Sequence, residues 1–179
     1  MRNFMKEVMK KWKWKILILL YLCFIYGNSL TPAVISSKES GYFLIRIQSL
    51  LSEAGMDAWW LTEHLVRKAA HFTEYAGLGF LLAMNTGAGM VPVFSLTRIL
   101  KANFTAAFCL PFIDETIQLF VEGRSGQITD VWLDMAGIYM GIMITGCLVK
   151  IVRTALEKNR KISSGSKWTQ QKPEKNNEL

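Results

Sequence analysis

Residues with the chemistry to act on a substrate or hold a ligand fall in three short runs. In RKAAHFTEYAGLG (67–79), Lys68, His71 and Tyr75 stand at i, i+3 and i+7, one stripe of a helix, with Glu74 beside them. In DETIQ, Asp114 and Gln118 stand at i, i+4 with Glu115 adjacent, and TDVWLD spaces Asp130 and Asp134 the same way. Arg124 lies in the short EGRSGQITD link between the last two runs. Together they supply one imidazole, several carboxylates and two cations, the set needed for acid–base work or for holding an anion. His71 would be the general base or nucleophile, oriented by Glu74 or Asp114, while Asp130 and Asp134 polarise a water or leaving group. The candidate catalytic residues are therefore His71, Glu74, Asp114, Glu115, Asp130 and Asp134. Lys68, Tyr75, Gln118, Arg124 and Asn28 are the candidate ligand-binding residues. No Ser or Cys nucleophile motif accompanies them, and the bland alternative is a network in which acids and bases neutralise one another. His64 and His71, seven residues apart, make no ligand pair, so neither a metal nor a cofactor is expected. Cys23, Cys109 and Cys147 sit in apolar runs without CxxC spacing and read as small core residues.

The setting of these runs is apolar. Of 179 residues 51% are hydrophobic and 20% charged, which excludes a disordered chain and argues against an ordinary soluble domain. Four stretches, at about 14–35, 69–90, 99–121 and 130–151, approach the roughly 20 apolar residues that cross a hydrocarbon layer. The predicted fold is all-α: a polytopic membrane protein with four transmembrane helices in a bundle. The net charge of +7 is concentrated in the two ends, each net +5. Such tails beside membrane spans read as topology anchors, and nucleic acid is not an expected partner. With both tails and the 2–3 link inside, sixteen Lys and Arg lie inward against five outward, which predicts cytoplasmic termini. The expected organisation is a basic cytoplasmic tail at 1–13, a membrane domain at 14–152 and a disordered cytoplasmic tail at 153–179.

Between the first two spans, Phe43, Leu44, Ile47, Leu50, Leu51 and Ala54 recur at helical spacing, which predicts an external amphipathic helix in the membrane surface. Gly55 should end it, Asp57 cap the next helix, and Trp59 and Trp60 sit at headgroup level. Pro111 should bend the third span and free a carbonyl, and Gly137 and Gly141 should let a neighbouring backbone approach. At about 1.5 Å per residue, His71, Glu74 and Asp134 lie just below the outer surface, with Asp114 about 10 Å and Gln118 about 4–5 Å deep. Asn28 falls at a similar level, and Arg124 lies above.

These runs resemble the VanZ-like membrane proteins. The similarity rests on RKAAHFTEYAGLG and on DETIQLFVEGRSGQITDVWLDMAGIYMG (114–141), and extends over about 16–152. Carried over position by position, it marks Lys68, His71, Tyr75, Asp114, Glu115, Gln118, Arg124, Asp130 and Asp134. Asp134 stands where many members have Asn, which fits a hydrogen-bonding role there. The resemblance implies the cell membrane of a Gram-positive-type envelope and a link to teicoplanin resistance. Two functions follow as expectations. One is an outward-facing pocket that binds an envelope component or glycopeptide antibiotic, and the other is a membrane enzyme using His/Asp acid–base chemistry on a lipid-linked cell-wall precursor. The expected partners are a membrane lipid, such a precursor, or the antibiotic.

Overall fold

The computed structural model describes residues 2–87 and 95–169, with side chains for 12–87 and 95–160. Six helices run through these residues: α1 Arg2–Ser29, α2 Ala33–Glu53, α3 Glu63–Gly87, α4 Leu96–Ala102, α5 Phe104–Gln118 and α6 Ile128–Thr169. The chain divides into two compact units, 1–145 and 146–179, and the first contains every candidate residue.

The membrane-crossing pattern is coarser than four plain spans. Among the described residues one helical stretch, Ile128–Arg160, is long and apolar enough to cross alone. Two bent pairs qualify jointly, α1 from Trp12 with α2, and α4 with α5, so up to three crossings follow by length and composition. The helix expected as the second span, α3, does not qualify. Lys68, His71, Thr73, Glu74 and Asn85 lower its hydropathy, and they are the polar residues that make it interesting.

The breaks have local causes. Pro32 has no N–H to donate and disfavours helical backbone at Thr31, so the first apolar run stops at Ser29 and the chain turns 101° into α2. On α2, Tyr42, Phe43, Ile45 and Leu50 are exposed, and the Gln48 amide donates to the carbonyls of Leu61 (3.3 Å) and Ala58 (3.5 Å). Gly55, with φ 74°, ends the turn after α2. The cap of the following helix is Thr62, whose hydroxyl accepts from the Leu65 N–H at 3.2 Å, and not Asp57, because α3 begins only at Glu63. The bend in the α4–α5 pair, 44°, lies at Asn103. There the Asn103 amide bonds the Ile99 carbonyl (2.8 Å) and the Thr86 hydroxyl (3.1 Å), while Pro111 lies inside α5.

The core consists of Ile25, Tyr75, Leu78, Leu82, Ala83, Ile99, Ala107, Ile138 and Ile142. At its centre α3 and α6 meet backbone to backbone. A Cβ on Gly141 would stand 2.0 Å from the Ala76 carbonyl oxygen, and one on Gly79 would stand 2.1 Å from that of Ile138. Only residues without a side chain allow this approach. The three cysteines are exposed, contrary to the core reading, and sit among apolar side chains that also face outward, such as Leu19, Phe24, Phe108 and Phe112. That outward apolar surface fits lipid. Beyond residue 153, where a disordered tail is expected, α6 continues to Thr169 through good helix formers such as Ala155, Leu156, Glu157 and Lys158. Residues 170–179 lie outside the described ones.

Candidate functional site

The N-terminal part of α3, the end of α5, the 119–127 link and the start of α6 enclose a cavity of about 60 Å³. Its walls are Arg67, Lys68, His71, Glu115, Gln118, Gly123, Arg124, Ser125, Gln127, Asp130, Leu133 and Asp134. Seven sequence candidates thus line one space: Lys68, His71, Glu115, Gln118, Arg124, Asp130 and Asp134. At about 10–15 Å³ per water, the cavity admits a few waters or one small polar group.

Several of the charges are occupied in holding the helices together. Lys68 of α3 donates to the Asp130 carboxylate of α6 at 2.5 Å, with the two side chains 27% and 26% exposed. Glu115 accepts from the Gln127 N–H at 2.8 Å and from the Gln118 amide at 3.1 Å, which fixes the approach to α6. Arg124 donates from Nε to the Thr31 carbonyl (2.8 Å) and from Nη2 to the Asn28 carbonyl (3.2 Å), capping the end of α1. Its third nitrogen, Nη1, has no hydrogen-bond partner among the described residues. Burial and the nearby Arg67 both lower the Arg124 pKa from its usual value. Two guanidinium groups thus stand close together at this cavity, with the Asp114, Glu115 and Glu74 carboxylates acting on Arg124 in the opposite sense.

Asn28 and Glu74 do not reach the cavity. They pair with each other at 2.8 Å, tying α1 to α3, and Tyr21 donates to the Glu74 carbonyl at 3.1 Å. Tyr75 is fully buried in the core and lies beside Asp114. Asp114 is fully buried behind the cavity wall, where its Oδ2 accepts from the Gln118 amide at 3.5 Å. The hydroxyls of Ser29 and Tyr75 face it without good hydrogen-bond geometry. One atom each from His71, Asp114 and Asp134 lies within 4.8 Å of the others, so α3, α5 and α6 converge on one point.

Sequence reasoning passes over Arg67 and Ser29, and also over wall residues such as Gln127, whose N–H bonds Glu115. Arg67 had a signal, since it precedes Lys68 in the run that carries the other candidates. Ser29 had none, being one hydroxyl in an apolar helix end.

The VanZ/LLP1 family model matches residues 14–150. No curated protein and no solved structure matches the chain. The sequence resemblance, drawn from the same three runs, and this match agree, and the apolar outward surface belongs with a membrane protein. The chain belongs to the VanZ/LLP1 family.

Proposed function

We propose that this membrane protein presents its polar cavity to the outer side and binds an anionic group of a cell-envelope component, a lipid-linked precursor or a glycopeptide antibiotic. The observation that supports this most is the pair of cavity-lining guanidiniums, since the Arg67 side chain forms no hydrogen bond or ion pair among the described residues and Arg124 keeps one nitrogen uncommitted. Phosphate and carboxylate are the groups that such a pair recognises. The orientation rests on the Lys and Arg excess of the tails, which, with polar α3 as a fourth crossing, keeps both termini in the cytoplasm and turns the 119–127 link outward. The 101° turn into α2 fits a crossing first helix followed by one lying in the membrane surface over the site.

The test is purification in mild detergent or nanodiscs, followed by native mass spectrometry against a pool of lipid-linked envelope precursors. An anionic species should bind to the parent protein and be lost in Arg67→Ala. Equal binding by both proteins would count against the cavity as the site. A second reading, acid–base catalysis on the bound precursor, is favoured by one observation: the His71 Nδ1 is buried without a hydrogen-bond partner, close to two carboxylates. It predicts a changed precursor mass that disappears in His71→Ala.

A further inference from the structure

We infer that His71, Asp114 and Asp134 bind a first-row divalent cation at the floor of the cavity. This goes beyond the anion-binding reading and does not depend on which envelope component is bound. Three helices each contribute one ligand atom, all within 4.8 Å of one another. Four-coordinate zinc, with bonds near 2.1 Å, sets its ligand atoms about 3.4 Å apart, so side-chain rotations that close the group by about an ångström complete the site.

A second, independent observation points the same way. Asp134 is 1% exposed, yet neither of its carboxylate oxygens has a hydrogen-bond partner among the described residues. The Oδ1 of fully buried Asp114 and the Nδ1 of His71 are also unpartnered. A buried carboxylate with no partner, as in Asp134, is costly, and Asp114 beside it, bonded only through Oδ2 to Gln118, makes this worse because like charges repel. Lys68 pairs with Asp130 and two Arg124 nitrogens bond backbone carbonyls, and among the described residues neither Arg67 nor the remaining Arg124 nitrogen forms an ion pair with Asp114 or Asp134. A proton shared by the two aspartates neutralises only one of them. A divalent cation neutralises both and also takes the lone pair of a neutral imidazole.

The donor set selects the class of ion. One nitrogen with two carboxylate oxygens suits zinc, manganese or ferrous iron, whereas calcium and magnesium prefer all-oxygen sites and cuprous ions prefer thiolates. His71 and Asp134 also line the cavity, so a cation between them borders its water. Three protein ligands beside an open, wet position is the arrangement of metal centres that act on a substrate, and differs from the closed four-ligand structural kind.

The experiment uses the full chain, purified in detergent without a metal-affinity step, stripped with EDTA and then titrated with ZnCl2 or MnCl2. Bound metal is counted after gel filtration, and melting temperature is followed in parallel. We expect about one cation per chain, with affinity at least about tenfold weaker in His71→Gln and Asp134→Asn. The stripped parent protein should also gain melting temperature with metal, while Asp134→Asn, which removes a buried charge and so keeps its fold, should not. Stoichiometry far below one, or unchanged affinity in both variants, overturns the site. So does a parent protein whose melting is indifferent to metal, which would leave the shared proton as the explanation. Lipid binding by Arg67→Ala on the same preparations separates the two proposals. A parent protein that binds metal, with lipid binding unchanged in Arg67→Ala, sinks the anion site alone; a parent protein that binds no metal, with lipid binding lost in Arg67→Ala, sinks the cation site alone.

Discussion

Replacing Gly141 by Ala puts the closest helix contact under direct strain. The added Cβ would meet the Ala76 carbonyl oxygen at 2.0 Å and the Phe80 nitrogen at 2.9 Å, where ordinary contact begins at 3.4 Å. Both neighbours are backbone, so no side chain can swing away and the helices must part by about 1.4 Å. A clash of this size against backbone belongs at the upper end of the about 1–3 kcal/mol that overpacking costs, and after the roughly 1 kcal/mol that the better helix propensity of Ala recovers, a net loss of about 2 kcal/mol remains. Gly27→Ala is the control, because a Cβ there meets nothing within 4 Å and only the propensity gain of about 0.5–1 kcal/mol remains. With about 2–4 °C per kcal/mol for a domain of this size, Gly141→Ala should lower the melting temperature by several degrees and Gly27→Ala should raise it slightly. Thermal unfolding of both purified variants in one detergent measures this. Equal or higher stability of Gly141→Ala would show that α3 and α6 do not meet backbone to backbone, and would remove the basis for His71 and Asp134 facing each other.

Three further outcomes can be checked by the same melting assay. A double-mutant cycle on Lys68→Ala and Asp130→Ala should give a coupling of only about 0.5–1 kcal/mol, since both partners are about a quarter exposed and water screens them. Arg124→Lys keeps the charge but loses the fork that bonds the Thr31 and Asn28 carbonyls together, so it should destabilise by about 1–2 kcal/mol. Thr62→Ala should cost about 1 kcal/mol through the lost cap of α3, while Asp57→Ala, outside that helix, should be near neutral.

Much of the architecture was legible because it rests on spacing. The i, i+3 and i+4 repeats place each candidate on one face of its helix, and the rise per residue sets relative depth, so a meeting of His71, Asp114 and Asp134 follows from two periodic quantities. Gly137 and Gly141 were legible for the same reason, being one turn apart. Cross-helix pairing is a different matter, because it depends on how far each helix is rotated about its axis. Hence the commitment of Lys68 to Asp130, and of Glu74 to Asn28, could not be read from residue types. Partners on the backbone leave no mark in the sequence at all, which is why Arg124 looked free to hold a ligand when two of its nitrogens cap α1. The 44° bend lies at Asn103 although Pro111 is the stronger sequence signal, because an Asn side chain can satisfy the carbonyl and hydroxyl groups that a break exposes. No linear motif marks the proposed cation site, because its donors come from three separate helices.

The proposed outward orientation of the cavity can be tested directly with single cysteines in a background where Cys23, Cys109 and Cys147 are replaced by Ser. Ser125, exposed at the cavity rim, and Lys101, exposed on α4, are each changed to Cys and treated in intact cells with a membrane-impermeant maleimide. Ser125→Cys should label without permeabilisation and Lys101→Cys only after it. The reverse pattern would place the cavity on the cytoplasmic side and contradict an envelope ligand.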